Sequence, residues 1–258
     1  MQLSILQLNI NADNFWDRLT AFLKTQNFDI LQLQEVTGKD LIGGNMNTKI
    51  DCYQELQALL SSRYESAMAI TEWFSSSPQT AYFGNATFYK KDFTLVEKTI
   101  VPLHKRQAPF PSDAKTFEDV SKSILHVTLT INGKNISFLN THLAWGPTPE
   151  EHPHQTEQGE KLIEYLKAVP SPFIFTGDFN LDPNQPTIHR IETIARNLTR
   201  ENNITNTLNP RLHKVKHLFP PGVAVDYIFV SPDIEVKDFT VLEEDLSDHL
   251  GLTATIEV

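Results

Sequence analysis

Short apolar runs of strand length recur along this chain. Most are closed by a polar residue, and stretches with helical spacing lie between them. Leu3 to Ile10 carries apolar side chains on both parities, the pattern of a strand covered on both faces, with Asn9 at its end. Phe15, Leu19, Phe22 and Leu23 share one helical face and predict a helix over about 14–27, with Asn11, Asp13 and Asn14 as available caps. Asp29 to Glu35 reads as a second strand on which Leu31, Leu33 and Glu35 have one parity. Such a carboxylate is costly on an apolar face unless it meets a cation or donors, which points to a site at the sheet rim, the alternative being a rim Glu in solvent. Asp51, with Gln54 three residues on, caps an expected helix bearing Tyr53, Leu56, Leu59 and Leu60. Segments 64–71, 81–90 and 93–101 read as strands of a meander, with Gly84-Asn85 just before the apolar Ala86-Thr87-Phe88-Tyr89.

From His104 to Ser121 the periodicity fails, and this stretch, with Lys105 and Arg106, is expected to be a long surface loop. Lys122 to Ile131, Asn132-Gly133 and Asn135 to Thr141 form a hairpin signal that runs into Asn140-Thr141-His142-Leu143. A polar loop from Ala144 to Thr156 follows, carrying Trp145 and an expectedly exposed His152 and His154. Leu162, Ile163, Leu166 and Val169 then mark a helix. Pro172-Phe173-Ile174-Phe175 is a strand that opens into Gly177-Asp178-Phe179-Asn180. If the chain stays extended there, Asp178 and Asn180 share a face and Phe179 takes the other. Thr187 is expected to cap a helix bearing Ile188, Ile191, Ile194 and Leu198. Val223 to Val230 reads as a buried strand interrupted by Asp226, and buried acids need partners. The nearest offer is His249, in Ser247-Asp248-His249, between strands expected near 234–241 and 251–257.

At 258 residues, 40% of them hydrophobic, the chain suits one large domain, residues 1–258. Its formal net charge of -10 argues against a protein that grips long duplex nucleic acid by charge neutralisation. It leaves room for a nuclease whose bound cations invert the local sign. The lone Cys52 forms no internal disulfide and builds no cysteine-rich zinc site. The N-terminus lacks the basic region of a secretory signal and no apolar run reaches membrane-spanning length, so a cytoplasmic location is expected, without a membrane partner.

Strand ends or nearby loops thus supply Asn9, Glu35, His142, Asp178, Asn180, Asp226, Asp248 and His249. Oxygen ligands such as Glu35 suit Mg²⁺ or Mn²⁺, an Asp can activate water, imidazoles can brace a phosphoryl oxygen, and an Asp–His pair fixes one imidazole's tautomer. Asn9 in Leu-Asn-Ile, Gln34-Glu35, Asn140-Thr141-His142-Leu143, Gly177-Asp178-Phe179-Asn180, Asp226-Tyr227-Ile228 and Ser247-Asp248-His249 resemble, in order, the motifs of the endonuclease/exonuclease/phosphatase superfamily, from residue 3 to residue 253.

That resemblance implies a deoxyribonuclease I-like four-layer α/β sandwich of two packed, mainly antiparallel β-sheets flanked by helices. It also implies hydrolysis of a phosphoester by metal-assisted attack of water. Carried over, Glu35 is the principal metal ligand with Asn9 beside it, and Asp248 supports the metal region or a second metal. Asp178 orients or deprotonates the water and Asn180 steadies that nucleophile or the phosphoryl oxygens. His142 stabilises developing charge or assists the leaving group, and His249, oriented by Asp226, contacts the phosphate. Asn85 resembles a site-lining residue, and Trp145 is placed either to stack on a base or to pack at the rim. Many relatives carry an Arg on the strand that here begins Ser121-Lys122-Ser123, which leaves Lys122 or the 104–106 loop to contact phosphate. The expected substrate is nucleic acid, single-stranded or structured. The alternatives are a small phosphorylated metabolite acted on by a phosphomonoesterase and a fold kept only for binding, and a monomer is expected.

Overall fold

The computed structural model describes residues 1–38, 50–76, 79–104, 109–110, 120–146, 148, 150–214 and 222–258. Most of the 104–121 loop, including Lys105, Arg106 and residues 111–119, lies outside the described residues.

Thirteen strands and five helices are described: β1 (Gln2–Asn9), α1 (Trp16–Thr25), β2 (Ile30–Gly38), α2 (Cys52–Leu60), β3 (Tyr64–Ser76), β4 (Gln79–Lys90), β5 (Thr94–Pro102), β6 (Pro109–Phe110), β7 (Ser123–Ile131), β8 (Lys134–His142), α3 (Pro153–Lys167), β9 (Phe173–Asp178), α4 (Pro186–Glu192), β10 (Arg196–Asn197), α5 (Leu198–Glu201), β11 (Asp226–Val230), β12 (Glu235–Val241) and β13 (Leu252–Glu257). They form one seven-stranded sheet, ordered β12-β13-β1-β2-β4-β3-β6, and one six-stranded sheet, ordered β10-β11-β9-β8-β7-β5. Strand alternation divides the apolar residues into layers. Leu6, Leu8, Leu31 and Leu33 pack outward against Leu19 and Leu23 of α1 and Leu56 and Leu60 of α2. Phe173, Phe175 and Tyr227 pack outward on the other sheet, against Leu162 and Leu166 of α3 and Ile188 and Ile191 of α4. Leu3, Ile5, Leu125, Val127, Phe138 and Ile228 fill the space between the sheets. This is the expected four-layer sandwich. Burying each such side chain contributes about 1.5–3 kcal/mol, so three stacked apolar layers hold the sheets in register.

Several local expectations are realised. Asp51 caps α2 by accepting from the Gln54 N–H at 2.9 Å. The turn between β7 and β8 places Asn132 and Gly133 at φ 49° and 78°, the left-handed pair that tight hairpins require. Others are corrected. α1 begins at Trp16 with no side-chain cap, because Asn14 bonds back to Asn11 instead. β3 and β4 pair as a hairpin, but β5 crosses to the second sheet and pairs with β7, so the three do not form a meander. Pro186 opens α4 and Thr187 lies within its first turn, where its N–H and hydroxyl are both taken by the Glu151 carboxylate. Leu198 starts the separate helix α5. His152 and His154 begin α3, with stacked rings, and His154 is buried with Nε2 3.1 Å from the Trp145 carbonyl oxygen. Asp226 opens β11 rather than interrupting a longer strand.

Candidate active site

Towards one end of the sandwich the inter-sheet filling changes from apolar to polar. Gln7 and Asn9 of β1, Gln32 and Gln34 of β2, Asn140 of β8, Thr176 and Asp178 of β9 and Asp226 of β11 are all buried. Most of their polar atoms pair across the gap, as buried polar groups tend to, with Gln7 Oε1 and Gln32 Nε2 left without a partner among the described residues. Gln34 donates to Asn140 Oδ1 at 2.7 Å, Thr176 to Gln32 Oε1 at 3.0 Å, and Gln7 to Gln34 Oε1 at 2.9 Å. This lattice fixes the strand ends where the candidate catalytic residues sit.

Glu35 reaches the inner face by breaking the alternation of β2. The pairing with β4 slips between Leu33 and Val36, and Glu35 takes φ 56°. A bulge of this kind re-aims a side chain. Leu31 and Leu33 stay in the outer layer, whereas Glu35 Oε1 accepts from Asn9 Nδ2 at 3.0 Å. The expectation that Glu35 simply continues that apolar face is thereby corrected. The same Asn9 nitrogen donates to Asp178 Oδ2 at 2.9 Å, while Asn9 Oδ1 accepts from the Asn11 N–H at 3.0 Å. Asn9 thus bridges the two carboxylates through its nitrogen.

Asp178 ends β9 beside Gly177. A Cβ on Gly177 would lie 2.1 Å from the Thr141 carbonyl oxygen, so only glycine lets β9 approach β8 this closely. Asp178 Oδ1 accepts from the Asn180 N–H at 2.9 Å, and Oδ2 lies 3.6 Å from His142 Nε2 and 3.8 Å from His249 Nε2. The extended chain stops there, because Asn180 adopts φ 51° and its amide nitrogen donates to the Leu143 carbonyl at 3.0 Å. Phe179 does point the other way, into the outer layer. Across the mouth, Asp226 accepts from His249 Nδ1 at 2.8 Å, Thr207 Oγ1 at 2.7 Å and Gln7 Nε2 at 3.0 Å.

The electrostatics divide these groups. Burial, with Asp226 adding repulsion, pushes the Asp178 carboxyl up to about 7 against the pull of His249 and Asn9. Burial also raises Glu35, and nearby Asp248 adds to it. Burial drives His142 well below its ordinary value, aided by Lys122 and His249. Burial would lower His249 too, but Asp226 and Asp178 hold it well above. One neutral and one cationic imidazole therefore flank a carboxyl poised near neutrality.

Asp178, Asp226 and His249 offer ligand atoms within 4.8 Å of one another. The two carboxylates and His249 Nδ1 already hold hydrogen bonds, with Asn9, Asn180, Gln7, Thr207 and one another, so this cluster orients an imidazole better than it cages an ion. The donor set around Glu35 fits a hard divalent cation: among the described residues its Oε2 accepts no hydrogen bond, and Asp248 places a second carboxylate close enough to raise it. Of the substrate-side candidates, Asn85 is buried with its amide on the Ser123 carbonyl oxygen at 3.2 Å, and Trp145 is 38% exposed at the rim. The motifs gave no sign of Gln7, Thr207 or Gln155. Gln155 of α3 donates to the carbonyls of Ala144 and Asn180, tying the loops after β8 and β9 together. His213, whose ring meets His249 edge-on at 5.7 Å, was likewise unmarked. The shared parity of Gln7 with Asn9, and of Gln32 with Gln34, on two otherwise apolar strands was the legible signal for the polar layer.

The chain is similar in fold to an endonuclease/exonuclease/phosphatase from Beutenbergia cavernae DSM 12333 (20% identity, TM-score 0.75, 100% of this chain and 72% of that one). It is also similar to the Bacteroides thetaiotaomicron VPI-5482 mannosyl-6-phosphatase Bt3783 (18%, TM-score 0.72, 99% and 100%) and to D. rerio TDP2 complexed with single strand DNA product (18%, TM-score 0.70, 100% and 99%). No curated protein matches it. No helix among the described residues is long and apolar enough to cross a membrane. The family model for the Endonuclease/Exonuclease/phosphatase family matches residues 6–249. Its members are hydrolases acting on phosphoester bonds and the superfamily is generally dependent on divalent metal. Matched over nearly its whole length, this chain belongs to the Endonuclease/Exonuclease/phosphatase family.

Proposed function

We propose that this chain is a Mg²⁺- or Mn²⁺-dependent phosphodiesterase that uses an activated water, and that it acts as a nuclease on single-stranded or structured nucleic acid. The observation that carries the reading is the meeting of Asn9, His142 and His249 around one oxygen of Asp178, with Glu35 accepting from the same Asn9 nitrogen. Glu35 and Asp248 would hold the cation, which when bound supplies positive charge to the phosphoryl group. Asp178, poised near neutral pH, takes the proton of a water as its oxygen bonds to phosphorus. Asn180, whose N–H fixes the other Asp178 oxygen, keeps that carboxylate aimed. The His249 imidazolium, held by Asp226, donates to a non-bridging phosphoryl oxygen as charge builds. His142, whose Nε2 lies 3.6 Å from Asp178 Oδ2, would hydrogen-bond the leaving oxygen, which departs as the ester P–O bond breaks and takes up the proton that Asp178 received from the water.

The excess of acid over base in the chain favours short or single-stranded substrates over long duplex contacts. The single-strand DNA product in the similar TDP2 structure supports that choice. Likeness to the mannosyl-6-phosphatase supports a second reading, a phosphomonoesterase for a sugar phosphate. The proposed protein is monomeric and cytoplasmic. A panel of single-stranded and duplex DNA, abasic duplex, RNA, 5′-tyrosyl DNA, inositol and sugar phosphates and a chromogenic diester, each with Mg²⁺ or Mn²⁺, tests the reading. Diester cleavage lost in Asp178→Ala supports it; activity confined to monoesters establishes the second reading, and none in any arm refutes both.

A further inference from the structure

His249 lies in the stretch between β12 and β13, residues 242–251, where no helix or strand forms. A catalytic side chain on such a loop keeps its aim only through what braces the loop. Residues 207–209, between α5 and β11, run antiparallel to it in a single bridge, with Leu208 opposite His249. The Leu250 N–H donates to the Thr207 carbonyl at 2.7 Å and the Asn209 N–H to the Asp248 carbonyl at 2.8 Å, one on each side of His249. Thr207 also donates to Asp226, the acid that His249 meets, so one short segment holds both the carboxylate and the backbone that carries the imidazole.

The side chain of Asn209 completes this brace, and it is fully buried. Its Nδ2 donates to the Ser247 carbonyl at 3.1 Å and to Asp245 Oδ1 at 3.0 Å, while its Oδ1 accepts from the Arg211 N–H at 2.9 Å. Asp245 is fastened in turn by Arg211 Nε at 2.7 Å. The Asn209 carbonyl accepts from the His213 N–H at 2.9 Å, in the turn that brings the His213 ring edge-on to His249 at 5.7 Å. Only a carboxamide meets these demands at this size, because aspartate has no donor and leucine has neither donor nor acceptor. We propose that Asn209 is a positioning residue for the hydrolysis: through the Ser247 and Asp248 carbonyls it holds the backbone of 247–249 where the His249 imidazole meets Asp226 and the phosphoryl group. The proposal rests on the phosphodiesterase reading for the reaction that His249 serves; the placement of His249 rests on these bonds alone.

The test is Asn209→Ala, alone and combined with His249→Ala, at a temperature where melting curves show every variant folded. Asn209→Ala keeps the N–H bond to Asp248 and loses the hold on Ser247 and Asp245. In hydrolysis of bis(p-nitrophenyl) phosphate with saturating Mn²⁺ it should lower kcat about 10- to 100-fold, the cost of a displaced catalytic group, with KM within about twofold of wild type. In the His249→Ala background the same change should cost no more than about twofold, because the group it aims is gone. A change that merely loosens the fold costs the same in both backgrounds. That result overturns the proposal, and so does wild-type kcat in Asn209→Ala. A second readout needs no turnover. In EDTA, the proton on His249 Nδ1, assigned by its disappearance from the NMR spectrum of His249→Ala, should shift or broaden in Asn209→Ala, and an unchanged resonance overturns the proposal. If the wild type hydrolyses no diester, the phosphodiesterase reading fails, and this resonance alone decides whether Asn209 sets the imidazole. Should the alanine variant not fold, Asn209→Ser takes its place with the same outcomes expected.

Discussion

Asp226→Asn is the most informative single change, because three donors converge on that carboxylate. Gln7 Nε2 lies 3.0 Å from one oxygen, and Thr207 Oγ1 and His249 Nδ1 lie 2.7 and 2.8 Å from the other. The Thr207 hydroxyl already accepts from the backbone N–H groups of Val225 and Asp226, at 3.0 and 3.1 Å, so it has only its proton to offer the carboxylate. Asparagine fills the same volume but has one acceptor oxygen. Its NH₂ must face either Gln7 or the Thr207–His249 pair, and in neither pose does His249 Nδ1 keep an anionic partner. Losing a hydrogen bond to a charged group costs about 1.5–3 kcal/mol, which translates to roughly 10- to 150-fold in kcat/KM if His249 acts on the transition state. Gln7→Leu removes one neutral donor and should cost about 1 kcal/mol, roughly fivefold. Steady-state hydrolysis of bis(p-nitrophenyl) phosphate with saturating Mn²⁺, beside a melting curve for each protein, measures both. The reasoning is refuted if folded Asp226→Asn stays within about threefold of wild type, or if Gln7→Leu is the worse of the two.

Four further outcomes are expected. Gly177→Ala drives a Cβ into the Thr141 carbonyl and should lower stability by about 2 kcal/mol or more, with loss of activity, as read from denaturant midpoints and rates. Gln155→Leu removes the donor to the Ala144 and Asn180 carbonyls and the acceptor for the His152 N–H. It should cost about 2–4 kcal/mol and lower kcat/KM, and an unchanged midpoint would count against its role as a tie. Burial holds His126 below its ordinary value of 6.5, opposed by Glu97, with the Tyr165 hydroxyl 2.8 Å from Nδ1. The unfolded chain therefore takes up this proton first as pH falls below about 6.5. That contribution to stability is present at higher pH and lost on acidification, so His126→Asn should flatten the fall in melting temperature between about pH 7 and 5. Cys52 is fully buried, accepts from Thr37 Oγ1 at 3.1 Å, and has its thiol pushed up to about 12 by burial. Ellman's reagent should leave it untouched in the native protein and titrate it after denaturation.

The sandwich was legible in the sequence because its strands carry short apolar runs of strand length and the β7–β8 hairpin carries Asn-Gly. Asn9, His142, Asp178 and His249 were legible because each is a polar residue at or beside the end of such a run, and the Asp226–His249 pairing followed from a buried acid needing a partner. Periodicity could not show the bulge that turns Glu35 inward, since a single left-handed residue shifts the alternation without changing composition. Strand pairing was equally hidden: β5 looks locally like a continuation of β4 and is drawn to the other sheet by its long-range partner β7. His154 was misread for a related reason. Pro153 looked like loop chemistry, but proline in the first turn starts a helix as readily as it breaks one. Thr207 and Gln155 act through backbone and carboxylate contacts distant in sequence, which no local pattern marks.

The central claim is that the polar mouth separates two tasks, with cation binding on Glu35 and water activation on Asp178. Manganese binding followed by electron paramagnetic resonance, on the same samples used for diester turnover, tests it most directly. Glu35→Gln should lose both the bound ion and turnover. Asp178→Asn should keep the ion near wild-type affinity and lose at least about 100-fold in rate, on the scale of general-base catalysis. Wild-type binding by Glu35→Gln, or wild-type turnover by Asp178→Asn, would contradict it.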